Sequence, residues 1–136
     1  MRKVLFLLLA ILMVFALVAC KDEPETGKWV STYTESETEE EGTFEYTITA
    51  TLEFDGKGGA KMTTYLDKVV LNDVDITSIV PAEERTEVLK GTYTDTEITL
   101  TYEEGGITVT EKGSYSISGD KLTVTAEGIS HVFTKQ

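Results

Sequence analysis

Few side chains in this chain could make or break a bond. Cys20 is the only thiol. It can accept an acyl or thioether substituent, but it has no partner for a disulfide and no second thiolate for a metal cluster. His131 is the only imidazole. It shares parity with Ile129 and Phe133, which puts it on the inward side of a predicted strand, and no second His or Cys exists to complete a zinc site. No serine stands in a Gly-X-Ser-X-Gly elbow, and no glycine-rich phosphate loop precedes a helix. Carboxylates are plentiful, and two clusters stand out. Glu35, Glu37, Glu39, Glu40 and Glu41 crowd what reads as the loop between the first two strands. Asn72, Asp73 and Asp75 lie in a later long connection. Hard oxygen donors at this density suit Ca²⁺. Neither cluster has the glycine and distal glutamate of an EF-hand, and both read as solvated charge. No catalytic residue, metal or cofactor is expected.

The elements that must carry these groups begin with an export segment. Arg2 and Lys3 precede an unbroken apolar run from Val4 to Ala19, and Cys20 follows Leu17-Val18-Ala19. A charged n-region, an apolar run shorter than the roughly 20 residues of a membrane-spanning helix, and a small residue at the end describe a secretory signal peptide over 1–19. Leu-Val-Ala-Cys resembles the lipobox of bacterial lipoproteins. The resemblance implies a diacylglyceryl group on the Cys20 thiol, cleavage before it and an acylated amino terminus. Two or three acyl chains anchor a protein firmly to a bilayer. Residues 20–26, with Pro24, read as the lipidated cysteine and a short tether. Lys21-Asp22-Glu23 is similar to the surface-export signal of Bacteroidetes lipoproteins, which leaves outer-membrane and cell-surface exposure both open within a bacterial envelope.

The chain has 24 acidic against 12 basic residues and a formal net charge of −12. Loss of Arg2 and Lys3 on cleavage would leave about 117 residues at −14. Such an excess argues against nucleic acid and against adsorption through a basic patch. It favours cations or basic protein partners.

From residue 27 to 136 the pattern has period two. Phe44, Tyr46, Ile48, Ala50, Leu52 and Phe54 share one parity, and Thr43, Glu45, Thr47, Thr49, Thr51 and Glu53 the other. Twelve residues of strict alternation predict a strand with one buried and one wet face. Gly, Asp and Ser punctuate the rest at 55–59, 95–96, 104–106, 118–120 and 127–128, so the strands follow one another as antiparallel hairpins. Lys90-Gly91-Thr92-Tyr93 and Lys112-Gly113-Ser114-Tyr115 form a weak repeat, in which glycine lets a curved strand bend and the tyrosine fills the space beside it. Residues 67–87 are the exception. Val69-Val70-Leu71 reads as a strand, and Pro81-Ala82-Glu83-Glu84 as the first turn of a short helix. Long connections in small β domains are often functional, so this segment is the candidate lid.

About eight antiparallel strands joined as a meander predict an all-β, up-and-down barrel. Gly27-Lys28-Trp29 resembles the Gly-X-Trp signature of lipocalins, and Phe133-Thr134-Lys135 is similar to the end of bacterial lipocalin-like lipoproteins. The resemblance spans residues 27–135. It implies that Trp29 closes the barrel's base and that Lys135 packs across its face, where classical lipocalins use arginine. The function this implies is non-enzymatic binding of a small apolar ligand, with Tyr46, Met62, Leu71, Ile79, Tyr93 and Tyr102 as candidate contacts at the open end. A filled, purely structural barrel is the first alternative. The second is an acidic envelope lipoprotein that engages a basic protein partner, as lysozyme inhibitors do.

Overall fold

The computed structural model describes residues 27–136. The proposed signal peptide, Cys20 and the tether up to residue 26 lie outside the described residues.

Nine strands follow in chain order: β1 Gly27–Glu39, β2 Gly42–Phe54, β3 Gly59–Leu71, β4 Val74–Asp75, β5 Thr86–Tyr93, β6 Glu97–Glu104, β7 Ile107–Ser118, β8 Lys121–Ala126 and β9 Ile129–Lys135. All neighbouring pairs are antiparallel. Eight of the strands close on themselves in the order β1-β2-β3-β5-β6-β7-β8-β9, and β9 returns to β1. The two-residue β4 is a stub on β3. The domain is therefore an all-β, up-and-down barrel of the lipocalin-like type. Closure removes the free edges that an open sheet would expose.

Alternation along each strand fixes what faces in. On β2, residues 46, 48, 50, 52 and 54 are all buried. Outward threonines pair across strands instead, as Thr32 Oγ1 does with Thr49 Oγ1 at 3.0 Å. Two features of the connection after β3 depart from the sequence reading. Residues 59–71 form one strand rather than two pieces, because a bulge between Thr47 and Ile48 lets Asp67 stand unpaired on β3. The extra residue shifts the parity, so Leu66 and Val69 are both buried although three apart. Pro81 precedes a single 3₁₀ turn, Ala82–Glu84, and no longer helix follows, since strand β5 begins at Thr86.

The base of the barrel holds the main core: Trp29, Leu52, Phe54, Leu89, Ile98, Tyr115, Leu122 and Phe133 are buried together. The repeat seen in the sequence has its cause here. Phe54 is clasped by both repeat tyrosines, with ring centroids 4.7 Å from Tyr93 and 5.6 Å from Tyr115. Gly91 is required because a Cβ there would sit 1.6 Å from Thr99 O on the paired strand. A second, smaller cluster of Tyr46, Ile48, Leu66, Val69 and Val80 lies towards the opposite end.

Candidate functional site

The inner face of β1 summarises the interior. From base to mouth it reads Trp29, Ser31, Tyr33, Glu35, Glu37. Apolar bulk gives way to aromatic hydroxyl and then to carboxylate. Glu35 and Glu37 do not belong to the loop, where composition alone placed them. The strand runs on to Glu39, so their side chains continue the inward parity of Trp29. Two further glutamates share this placement. Glu87 on β5 precedes inward Leu89, and Glu111 on β7 precedes inward Gly113 and Tyr115.

Below these carboxylates is a partly open cavity of about 50 Å³. Its wall is almost wholly apolar and includes Ala50, Met62, Leu100, Val124 and Phe133, with Tyr33, Glu111, Lys112 and His131 also on its border. The Tyr33 and His131 rings face each other at 4.8 Å. They stand where β1 and β9 meet, and that seam is paired only at Trp29–Lys135 and Val30–Thr134. The cavity thus lies behind the least-paired junction of the barrel.

Electrostatics sets the mouth apart. Burial pushes the Glu35, Glu87 and Glu111 carboxyls above the usual range. Glu37 adds to the effect at Glu35, Glu104 and Glu111 at Glu87, and Glu127 at Glu111. A group taken from water resists ionisation, and like charges nearby deepen the effect. Tyr102 donates its hydroxyl to Glu111 Oε1 at 3.1 Å, and burial together with that acceptor raises its own pKa to about 12. Burial drives the Tyr33 hydroxyl well up as well. Among the described residues the ion pairs are Lys28–Glu53 at 3.7 Å and Lys61–Glu53 at 3.1 Å, both on the outer face.

The segment after β3 is strapped over the mouth on the β2–β3 side. Asn72 and Asp73 turn the chain with φ of 48° and 67°. The Asn72 side chain accepts from Thr43 N at 3.0 Å. Asp75 accepts from Thr77 N at 2.9 Å and Thr77 Oγ1 at 2.6 Å. This acidic cluster therefore serves the turn. Arg85 holds the strap down by donating Nε to Val80 O at 3.0 Å and Nη2 to Thr77 O at 2.5 Å. Val80 is buried as a result and packs on Tyr46 and Val69.

Of the residues nominated as ligand contacts, Met62 lines the cavity. Tyr102 stands above it on Glu111. Tyr46 lies in the second core cluster under the strap, and Tyr93 packs on Phe54 at the base. Leu71 pairs with Phe44 and Val74 at the end of β3, and Ile79 points to solvent. The structure does not bring these last four together. At the base, Trp29 is 1% exposed, and Lys135 Nζ lies 5.8 Å from its ring centroid in cation–π contact. The Trp29 Nε1 is buried without a hydrogen-bond partner.

Comparison with models of known protein families, with curated proteins and with solved structures finds no match. Function must be read from the geometry. Sequence reasoning missed the inward glutamates because alternation was used to sort charged residues outward. The available signal was the parity of Trp29, Ser31 and Tyr33, which runs straight into Glu35 and Glu37.

Proposed function

We propose that this chain is a lipid-anchored, non-enzymatic binding protein of the bacterial envelope, which takes a small, largely apolar ligand into its barrel. The observation that carries this reading is the apolar cavity of about 50 Å³ beside Met62. Protein interiors are normally packed without such gaps, and barrels of this strand number either fill with side chains or hold one small molecule. Burial of the ligand's apolar surface supplies the affinity. The Leu-Val-Ala-Cys motif supports the anchor, with Cys20 as the acylated residue. The volume limits the buried part of the ligand to a short hydrocarbon chain or a single small ring.

Met62 is the only methionine in residues 27–136. Its methyl carbon is therefore a single reporter at the cavity wall. Titration with 1-hexanol should move that resonance saturably, with one site per chain and little dependence on salt. Met62→Phe should fill the space and abolish the shift. Absence of saturation in the unsubstituted protein would leave a filled structural barrel as the reading. For the anchor, Cys20→Ser should leave an uncut precursor that no longer incorporates labelled fatty acid. Continued incorporation would contradict lipidation at Cys20.

A further inference from the structure

The cavity explains an apolar ligand but not the carboxylates above it. Glu35 and Glu37 come from β1 and Glu87 from β5, which stand on opposite sides of the closed strand order. Glu111 on β7 stands between β5 and β1 on one side. No lysine or arginine shares their inward face. Lys90 and Lys112 alternate outward and are exposed, although Lys112 also borders the cavity, and Arg85 is committed to the carbonyls of Val80 and Thr77. Half-buried like charges in excess of the single nearby imidazole, His131, destabilise a fold, and of Glu35, Glu87 and Glu111 only Glu111 has a described hydrogen-bonding role, as acceptor for Tyr102.

A second observation points to a missing partner. Thr64 is inward on β3 and 2% exposed, and its Oγ1 has no hydrogen-bond partner. Its cross-strand neighbours are Ala50, a cavity-wall residue on β2, and Glu87 on β5. It therefore stands beside Glu87, one strand away from the cavity wall at Ala50. Buried hydroxyls are normally paired. At the other side of the mouth, Oε2 of Glu35, Oε2 of Glu37 and the Tyr33 hydroxyl are also enclosed without partners.

We propose that the upper half of the barrel binds a small primary ammonium ion bearing a short hydrocarbon tail. The tail lies in the cavity against Met62, Leu100 and Phe133. The cation lies between Glu87 on β5 and Glu111 on β7. Thr64 Oγ1 accepts one N–H, and Tyr102, which donates its hydroxyl to Glu111, stands beside the charge. Aromatic faces and carboxylates together are the chemistry that recognises an organic cation. A hard metal ion is the poorer fit. Among the described residues no three carboxylate, His or Cys groups converge closely enough to hold one, and Ca²⁺ needs six to eight oxygens. This inference rests on the reading of the barrel interior as a ligand site.

Three probes with one tail separate the two claims. The full chain, purified into phosphatidylcholine nanodiscs, is titrated with n-hexylammonium, 1-hexanol and hexanoate while the Met62 methyl resonance is followed. The expected order is ammonium, alcohol, carboxylate. The ammonium should bind at least about tenfold more tightly than the alcohol, the scale of one charge-assisted hydrogen bond. Glu87→Gln and Glu111→Gln should each reduce that preference, with Trp29 fluorescence confirming the fold. Saturable binding of all three with no preference for the ammonium overturns this inference and leaves the apolar-ligand reading standing. Binding of none overturns both. A Met62 shift produced by CaCl₂ or ZnCl₂ alone, competitive with the ammonium, assigns the carboxylates to a metal and overturns the inference as well.

Discussion

The two ends of this barrel are built from the same eight strands and differ in almost every other respect. At the base, Trp29, Leu52, Leu122 and Phe133 are at most 4% exposed, and two tyrosine rings pack on Phe54. Towards the mouth, the inward positions of the same strands carry glutamates and hydroxyls, above a cavity that reaches down to Ile98 and Phe133 of the main core. One end is packed to exclude water and define the fold. The other retains space and unpaired polar atoms that lower stability. Under the proposed function, this loss is tolerated because the interior has a ligand to meet, and the base supplies the stability that permits it.

The largest effect should come from the base. Trp29→Ala should cost about 3–5 kcal/mol, measured by urea unfolding with circular dichroism. It removes the largest fully buried side chain and the ring under Lys135. A cost below about 1 kcal/mol would erase the distinction between the ends.

Ile48→Ala should cost about 2–4 kcal/mol by the same measurement. Ile48 is 1% exposed in the smaller cluster that anchors Val80 and the strap. Because the strap closes one side of the mouth, this variant should also speed ligand exchange, which places the second cluster with the base in stability and with the mouth in function.

Stability should rise on mild acidification. In the folded state Glu35, Glu87 and Glu111 hold their protons more tightly than in the unfolded chain. Their favourable contribution is fully present below the unfolded carboxylate pKa of about 4.3 and is lost as pH rises through the higher folded values. Glu53, Asp55 and Asp75, held low by hydrogen bonds, act in the opposite sense as pH falls through their folded values, but they lie on the surface where water screens them. The unfolding midpoint should therefore be higher at pH 5 than at pH 7.5. A midpoint that only falls with acid would show that the mouth carries no strained carboxylates. The smallest effect belongs to the outer face, where Thr47→Ala should change stability by no more than about 0.5 kcal/mol.

The barrel was legible in the sequence because alternation and glycine-bearing turns act locally. Residues 43–54 could hardly form anything else, and the hairpin turns after Phe54 fell where Gly, Asp or Ser stood, whereas the first turn is Glu40-Glu41. The mouth was less legible for physical reasons. The bulge at Asp67 breaks parity in the middle of a strand, which made residues 67–71 read as a separate piece. Leu71 and Ile79 were nominated for being apolar in a long connection, yet it is Val80 that the Arg85 bonds draw inward. Glu87 and Glu111 were invisible because hydropathy assigns a carboxylate to water unless its strand neighbours are consulted. Met62 was found because it belongs to the alternating face.

The claim that the base stabilises the fold while the mouth sacrifices stability for a cation is tested most directly by one unfolding experiment. The Glu87→Gln, Glu111→Gln double variant and the unsubstituted protein are unfolded in urea with and without n-hexylammonium. Without the amine the variant should have the higher midpoint, since two half-buried charges are gone. With the amine the unsubstituted protein should gain stability and the variant should not move. A variant that is less stable than its parent, and that responds to the amine as its parent does, would contradict the account.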